Sequence, residues 1–84
     1  MNMAWVYILR GSSGRYYIGS TENLERRLAE HRRGSNHTTH RFGGCVELVI
    51  SRTVATPTEA RQIELALKRK KNPRLAIHAL EKFP

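Results

Sequence analysis

Apolar and polar positions alternate near the start of the chain, and this alternation is the period of a β-strand. The pattern occupies residues 4–9 and 15–19, on either side of Gly11-Ser12-Ser13-Gly14. Glycine and serine in so short a connection are typical of a hairpin turn. We therefore predict two neighbouring strands joined by this turn.

Side chains alternate between the two faces of a strand, so the two faces of the hairpin differ in burial. The more buried face is expected to carry Val6, Ile8, Tyr16 and Ile18. Tyr7 and Tyr17 then lie together on the other face. Either ring alone could be ordinary sheet packing, but their predicted proximity makes the pair a candidate for chemistry.

An amphipathic helix is predicted from Glu22 to Arg33, with Thr21 as its N-cap and Gly34 as its stop. Two leucines one turn apart form its apolar stripe. Arg27 and His31 are also one turn apart and border this stripe, so both side chains can reach inward at its edge.

A polar loop leads to a third predicted strand at residues 46–51, and a second helix follows. Thr56, Pro57 and Glu59 supply an N-cap, a first-turn proline and the acid of a capping box. The pair Asn72-Pro73 repeats the cap and the proline, which starts a short last helix. The predicted order is β-β-α-β-α-α, a small α+β domain with helices against a three-stranded sheet.

Glu64 is the sharpest anomaly in the second helix. The buried face of that helix is set by Ala60, Ile63 and Leu67. Glu64 lies four residues after Ala60 and three before Leu67, which puts it on the same face. A carboxylate in that position must be paired, neutralised or bound to a metal, and the pattern alone leaves these outcomes open.

The net charge of the chain favours a polyanionic partner. The chain has 84 residues, which we predict to form one domain over 1–84. Fifteen Lys and Arg against seven Asp and Glu leave a net charge of +8. Nucleic acid is the partner that such an excess favours, and a basic surface that only maintains solubility is the alternative.

Cysteine use and hydropathy indicate the compartment. Cys45 is the single cysteine, so no disulfide can form within the chain. The longest apolar run, Ala4 to Leu9, is far shorter than the ~18 residues of a membrane span. No basic region leads into an apolar stretch at the N-terminus. We expect a cytoplasmic protein without membrane contact.

Several further residues are candidates for ligand binding. Four of zinc-ligating type are His31, His37, His40 and Cys45. Their spacing lacks the paired ligands of a structural zinc site, so exposure to solvent or to phosphate explains the loop histidines better. Seven candidates for contact with a nucleic-acid backbone are Arg26, Arg32, Arg33, His40, Lys68, Lys70 and Lys71. The lysines also suit a helix C-terminus, and the two explanations are compatible.

Together these features resemble the GIY-YIG nuclease superfamily. The second family motif is intact as Tyr17-Ile18-Gly19, whereas the first reads Trp5-Val6-Tyr7 and loses the leading glycine. The stretch YIGSTENLERRLAEH, residues 17–31, is the most specific match. The resemblance covers about Ala4 to Leu80 and is closest to the small stand-alone bacterial members, relatives of the UvrC nuclease domain. It implies a three-stranded antiparallel sheet flanked by helices.

The resemblance also implies a site. Five positions match the catalytic residues of the family: Tyr7, Tyr17, Arg27, His31 and Glu64. Glu64 matches the metal-binding glutamate, so one divalent metal, Mg²⁺ or Mn²⁺, is implied. Tyr7 is expected to be the general base and Tyr17 to position the water or phosphate. Arg27 would stabilise the phosphorane charge, and His31 would bind phosphate or relay a proton. We expect all five on one concave face of the sheet.

The leading hypothesis is a metal-dependent endonuclease that hydrolyses phosphodiester bonds in DNA, directed by DNA structure rather than sequence, with DNA repair as its setting. Many relatives place an asparagine beyond the glutamate, but Asn72 is more typical of a helix cap. One alternative is a catalytically weak or inactive nucleic-acid-binding module. Another is a nuclease subunit that needs a protein partner or a homodimer.

Overall fold

In the part of the chain that the structure describes, three strands and three helices follow one another in the order predicted from the sequence. The computed structural model describes residues 3–11, 14–32 and 46–82. The strands are β1 (Ala4–Gly11), β2 (Tyr16–Thr21) and β3 (Val46–Val54). The helices are α1 (Leu24–Arg32), α2 (Pro57–Arg69) and α3 (Pro73–Glu81). The β-β-α-β-α-α order and the α+β class are confirmed.

The strands form one antiparallel sheet with β1 in the middle, in the spatial order β2-β1-β3. In this register Val6 lies opposite Ser20 of β2, and Tyr7 lies opposite Gly19. On its other side Tyr7 lies opposite Ser51 of β3. Directly opposite residues share a face, so this register decides which side chains meet.

One face of the sheet packs against α2 and α3 and forms the hydrophobic core. Its buried members are Ala4, Val6, Ile8, Ala60, Leu67, Ala76 and Leu80. Tyr16 and Ile18 pack against this cluster, so the predicted core face of the hairpin is confirmed. Among the described helices, none combines the length and apolarity that a membrane span requires.

The start of α1 differs from the prediction. The helix begins at Leu24 rather than Glu22, and its cap is Asn23 rather than Thr21. The Oδ1 of Asn23 accepts a hydrogen bond of 3.0 Å from the backbone N–H of Arg26, as an N-cap does. Thr21 instead accepts from the backbone N–H of Asn23 at 3.1 Å. The threonine therefore shapes the turn that precedes the helix, because its hydroxyl competes for local backbone groups.

The other two helices begin at their predicted caps. The Oγ1 of Thr56 accepts from the backbone N–H of Glu59 at 3.2 Å. The Oδ1 of Asn72 accepts from the backbone N–H of Arg74 at 2.9 Å. Each cap is followed by a proline at the first helical position. These local signals set the phase of α2, and with it the direction in which Glu64 leaves the helix.

Candidate active site

Two tyrosines from adjacent strands lie side by side on the face of the sheet opposite the hydrophobic core. Tyr7 comes from β1 and Tyr17 from β2, and their ring centroids are 6.2 Å apart with a tilt of 39°. Tyr7 is buried, and Tyr17 is half-buried. The alternation of each strand thus makes the two rings neighbours, as predicted.

His31 completes a cluster of three rings. It occupies the last turn of α1 and is fully buried. Its centroid lies 6.0 Å from that of Tyr7 and 5.0 Å from that of Tyr17, both in edge-on arrangements. A hydrogen bond of 3.2 Å joins its Nε2 to the phenol oxygen of Tyr7. We call Tyr7, Tyr17 and His31 the ring cluster.

Gly19 allows the phenol of Tyr7 to pass over β2. A Cβ at this position would lie 2.6 Å from the Tyr7 hydroxyl oxygen and 2.9 Å from Cε1 of Tyr17. Neither distance is compatible with an unshifted side chain, so the ring cluster requires a residue without Cβ here. The third residue of the Tyr17-Ile18-Gly19 motif therefore has a steric role at the site.

Glu64 reaches the site from the opposite face, which corrects the expectation that all five residues share one face. It is carried by α2, which packs on the side of Val6. Its Oε1 accepts a hydrogen bond of 2.5 Å from the hydroxyl of Ser20, whose partner in the register is Val6. Ser20 directly follows Gly19. The carboxylate and the ring cluster therefore meet across β2, at two consecutive residues that point to opposite faces.

Lys68 is the second partner of Glu64. Its ammonium lies 2.6 Å from Oε2, one helical turn along α2. The Glu64 side chain is 18% exposed and that of Lys68 is 49% exposed, so the pair lies at the rim of the protein. Of the three outcomes that the sequence allowed, the carboxylate is paired. Sequence reasoning did not include Ser20 or this role of Lys68, although the i,i+4 spacing was a signal for the lysine.

Burial and neighbouring charges keep both buried members of the ring cluster neutral. Burial, followed by the neighbouring Tyr17, raises the pKa of Tyr7 well above its usual value. The positive charge of Arg27 lowers the pKa of this phenol, and the negative charge of Glu64 raises it. Burial and then Arg27 lower the pKa of His31. The phenol of Tyr7 thus responds to charges from both sides of β2.

Arg27 lies at the outer margin of the ring cluster. Its Nε is 3.6 Å from Oε1 of Glu30, and the side chain is 39% exposed. Arg26 approaches the same carboxylate at 3.8 Å and is far more exposed. Glu30 therefore orients Arg27 through a weak, solvent-screened contact, which leaves the guanidinium accessible to an anion.

The donor chemistry at Glu64 suits a hard divalent cation. Mg²⁺ prefers carboxylate oxygens and keeps several waters when the protein supplies few ligands. Within residues 3–11, 14–32 and 46–82, no three His, Cys, Asp or Glu side chains group closely enough to hold a metal. Glu64 would therefore hold such an ion as its main protein ligand, after displacing the ammonium of Lys68 from Oε2.

The basic candidates fall partly within the described structure. Lys68, Lys70 and Lys71 are exposed, as is Arg26. Arg32 closes α1, and its side chain lies outside the described part of the chain. Arg33, His37, His40 and Cys45 also lie outside the described residues. His31, a fourth zinc candidate, is instead buried in the ring cluster.

The chain matches one family of catalytic domains and several proteins that share the name UPF0213. Residues 3–76 match the GIY-YIG catalytic domain. A UPF0213 protein of Streptococcus pneumoniae serotype 4 is 40% identical over 70 residues, which cover 83% of this chain and 71% of that protein. UPF0213 protein ORF82 of Orgyia pseudotsugata multicapsid polyhedrosis virus is 34% identical over 80 residues, or 94% and 77% of the two chains. The solution NMR structure of a UPF0213 protein from Bacillus halodurans gives a TM-score of 0.53 at 29% identity, and covers 89% of this chain and 84% of that one.

Adding one methyl group at Gly19 should disrupt the ring cluster. We expect Gly19→Ala to lower the free energy of unfolding by about 1–3 kcal/mol, the usual cost of overpacking a filled site. Urea unfolding measures this loss, and the near-ultraviolet circular dichroism of the tyrosines should change with it. Ser51→Ala is the control, because it alters the residue opposite Tyr7 on β3 without adding an atom. Equal stability of the two variants would contradict the steric role of Gly19.

His31 should make the stability of the protein depend on pH. Because its pKa is lowered on folding, the unfolded chain binds the proton more readily. The contribution of this histidine is therefore fully present above the unfolded pKa of about 6.5, and decreases as pH falls below that value. In His31→Gln, the loss of Tm between pH 7.5 and pH 5 should be smaller than in the wild type. His78→Gln, the same change at an exposed histidine of α3, is the control.

Proposed function

This chain belongs to the GIY-YIG catalytic domain family, and from that premise we propose that it is a metal-dependent endonuclease that hydrolyses phosphodiester bonds in DNA. The name UPF0213 specifies no reaction, so the proposal depends on the site itself. The observation that carries it is the meeting of the ring cluster and Glu64 across Gly19 and Ser20. A proton-accepting group, a metal-binding carboxylate and a cation are the three ingredients that phosphodiester hydrolysis needs.

Tyr7 and His31 form the pair that we assign to proton transfer. The raised pKa of Tyr7 keeps its phenol protonated in the free protein, so it cannot act as a base alone. When Nε2 of His31 carries no proton, it can accept the phenolic proton across their hydrogen bond. The phenol oxygen accepts a proton from the attacking water as its own proton passes to His31, so that the imidazolium of His31 forms without a free phenolate. Its complete burial favours this relay over direct binding of phosphate.

Arg27 and Glu64 provide the charges around that pair. The guanidinium of Arg27 would bind the phosphate and stabilise the negative charge that develops on it. Glu64 would hold the divalent metal, which supplies electrostatic stabilisation to a phosphate oxygen and to the leaving oxygen. Ser20 donates to Oε1 of Glu64, and this hydrogen bond orients the carboxylate toward the site. Tyr17, which lies beside both rings, would position the water or the phosphate.

One observation favours a second function. Lys68 places a positive charge on the carboxylate that the metal would need, at 2.6 Å from Oε2. If the lysine is not displaced, the protein is a basic nucleic-acid-binding module without turnover. The rim location of the pair makes displacement inexpensive, because exposed ion pairs contribute about 0–1 kcal/mol. We therefore favour the endonuclease.

The decisive variant is Glu64→Ala. We expect it to abolish DNA cleavage with Mg²⁺ or Mn²⁺ on duplex, single-stranded, flap and junction substrates. Affinity for DNA without metal should stay unchanged or increase slightly, because a negative charge is removed from the site. The free energy of unfolding should fall by no more than about 1 kcal/mol, since Lys68 is half-exposed and is not left as a buried charge.

Glu47→Ala is the matched control for this experiment, because it removes an exposed carboxylate from β3. It should cleave like the wild type. Cleavage that persists in folded Glu64→Ala would refute the assignment of the metal to this residue.

Lys68→Met should separate the two candidate functions. Loss of the competing ammonium should strengthen binding of Mn²⁺ by up to about fivefold, the equivalent of ~1 kcal/mol. Isothermal titration calorimetry or the paramagnetic resonance signal of free Mn²⁺ measures this affinity without any need for turnover. Lys70→Met is the control, since Lys70 ends the same helix and no ion pair joins it to Glu64 among the described contacts. Unchanged Mn²⁺ binding in both variants would contradict a metal site on Oε2.

A further inference from the structure

A groove of about 530 Å³ opens beside the candidate active site. It lies between the first half of β2 and the segment that joins α2 to α3. We call it the β2 groove, and the lining residues that matter here are Tyr16, Tyr17, Ile18, Leu67, Lys68, Lys71 and Pro73. Its volume is in the range of sites that hold small organic ligands, about 300–1,000 Å³. The proposed reaction does not by itself explain this groove.

The groove is continuous with the ring cluster. Tyr17 belongs to both, and its neighbour Tyr16 faces the other side of the sheet. The groove therefore runs around the edge of the sheet at β2, which is one of the two edge strands among the described residues. A ligand in the groove would lie next to the group that we expect to position the water or the scissile phosphate.

The walls of the groove are aromatic and apolar. Tyr16 and Ile18 come from β2, Leu67 comes from α2, and Pro73 begins α3. Tyr16 and Ile18 are half-buried, so part of each side chain remains available to a ligand. A flat surface of this kind can stack against the face of a nucleobase, whatever the base.

Two exposed lysines, Lys68 and Lys71, provide positive charge at the same groove. Lys71 has a φ of 55°, a left-handed backbone conformation that costs energy for a residue other than glycine. This conformation allows the chain to turn from α2 into α3 within three residues. An apolar, aromatic groove that ends in cations is complementary to a nucleotide, which combines a flat base with a phosphate.

We propose that the β2 groove binds one unpaired nucleotide of the DNA strand, next to the phosphate that is cleaved. The base stacks against Tyr16, and a flanking phosphate contacts Lys71. A base in a duplex keeps both faces covered by its neighbours, so only an unpaired nucleotide can present a face to the groove. The proposal rests on the endonuclease function and names its substrate class: single-stranded, flapped or frayed DNA.

The test is the binding of a short single-stranded oligothymidylate without metal, compared with a blunt hairpin duplex of the same number of nucleotides. Tyrosine fluorescence or amide chemical shifts report the affinity. Tyr16→Leu retains apolar volume where the ring packs against the core, so we expect it to fold. It should lose about fivefold to 150-fold in affinity for the single strand, the equivalent of one stacked base. Its affinity for the duplex should not change.

A second variant keeps the proposal testable if Tyr16→Leu fails to fold. Lys71→Glu reverses a charge at the groove, and Lys82→Glu makes the same change beyond the far end of α3. The proposal requires Lys71→Glu to weaken binding of the single strand more than Lys82→Glu does. Equal losses in these two variants, or an unchanged affinity in folded Tyr16→Leu, would overturn it.

Together with the cleavage assays described above, these binding measurements distinguish failure of the groove proposal from failure of the endonuclease proposal. If the wild type cleaves DNA but Tyr16→Leu binds the oligothymidylate as tightly as the wild type does, the groove proposal is wrong and the endonuclease proposal is unaffected. If the wild type cleaves none of the DNA substrates but Tyr16→Leu binds the oligothymidylate more weakly than the wild type does, the endonuclease proposal is wrong. In that case the groove still binds an unpaired nucleotide in a protein without turnover.

Discussion

The close pass of the Tyr7 phenol over the backbone of Gly19 is the constraint on which the site depends. The hydroxyl reaches His31 only because no Cβ projects from β2 at this point. The same pass brings the phenol to the strand residue that precedes Ser20, where the carboxylate of Glu64 is held from the other face. Because Gly19 has no side chain, the phenol of Tyr7 can approach β2 from one face of the sheet. The carboxylate of Glu64 approaches the next residue of the same strand from the other face.

Burial divides the site into a neutral interior and a charged rim. Tyr7 and His31 are fully buried, and their pKa values are shifted in opposite directions, so that both remain uncharged. In the free protein a neutral, hydrogen-bonded pair is buried at a much lower cost than an ionised group without a counter-ion. The groups to which we assign charged roles, Arg27 and Glu64, lie at partly exposed positions. A phosphate can approach them there without entering the core.

Lys68 connects the carboxylate of Glu64 with the β2 groove. Its ammonium contacts Glu64, and its side chain also lines the groove. An anion bound in the groove would compete with the carboxylate for this cation. If a DNA strand binds in the groove and a divalent ion binds Glu64, as we propose, both would favour the same movement of the lysine, so each should ease the binding of the other.

The amino-acid sequence by itself determined the features that depend on neighbours along the chain. Period-two alternation placed Tyr7 beside Tyr17, and the caps at Thr56 and Asn72 set the starts of α2 and α3. These predictions succeeded because strand alternation and helix capping involve residues only a few positions apart. The cap of α1 was wrong by two residues, since two side chains compete for the same turn.

Only the tertiary structure decided how Glu64 joins the site. Helix phase shows that this side chain points toward the sheet, but it does not show on which face the helix packs. The strand register and the packing of α2 on the side of Val6 brought Glu64 to Ser20, 44 positions away in the chain. The role of Gly19 was also decided in this way, because it depends on the path of a side chain from the neighbouring strand. Both features result from contacts between distant segments, which no pattern within one segment contains.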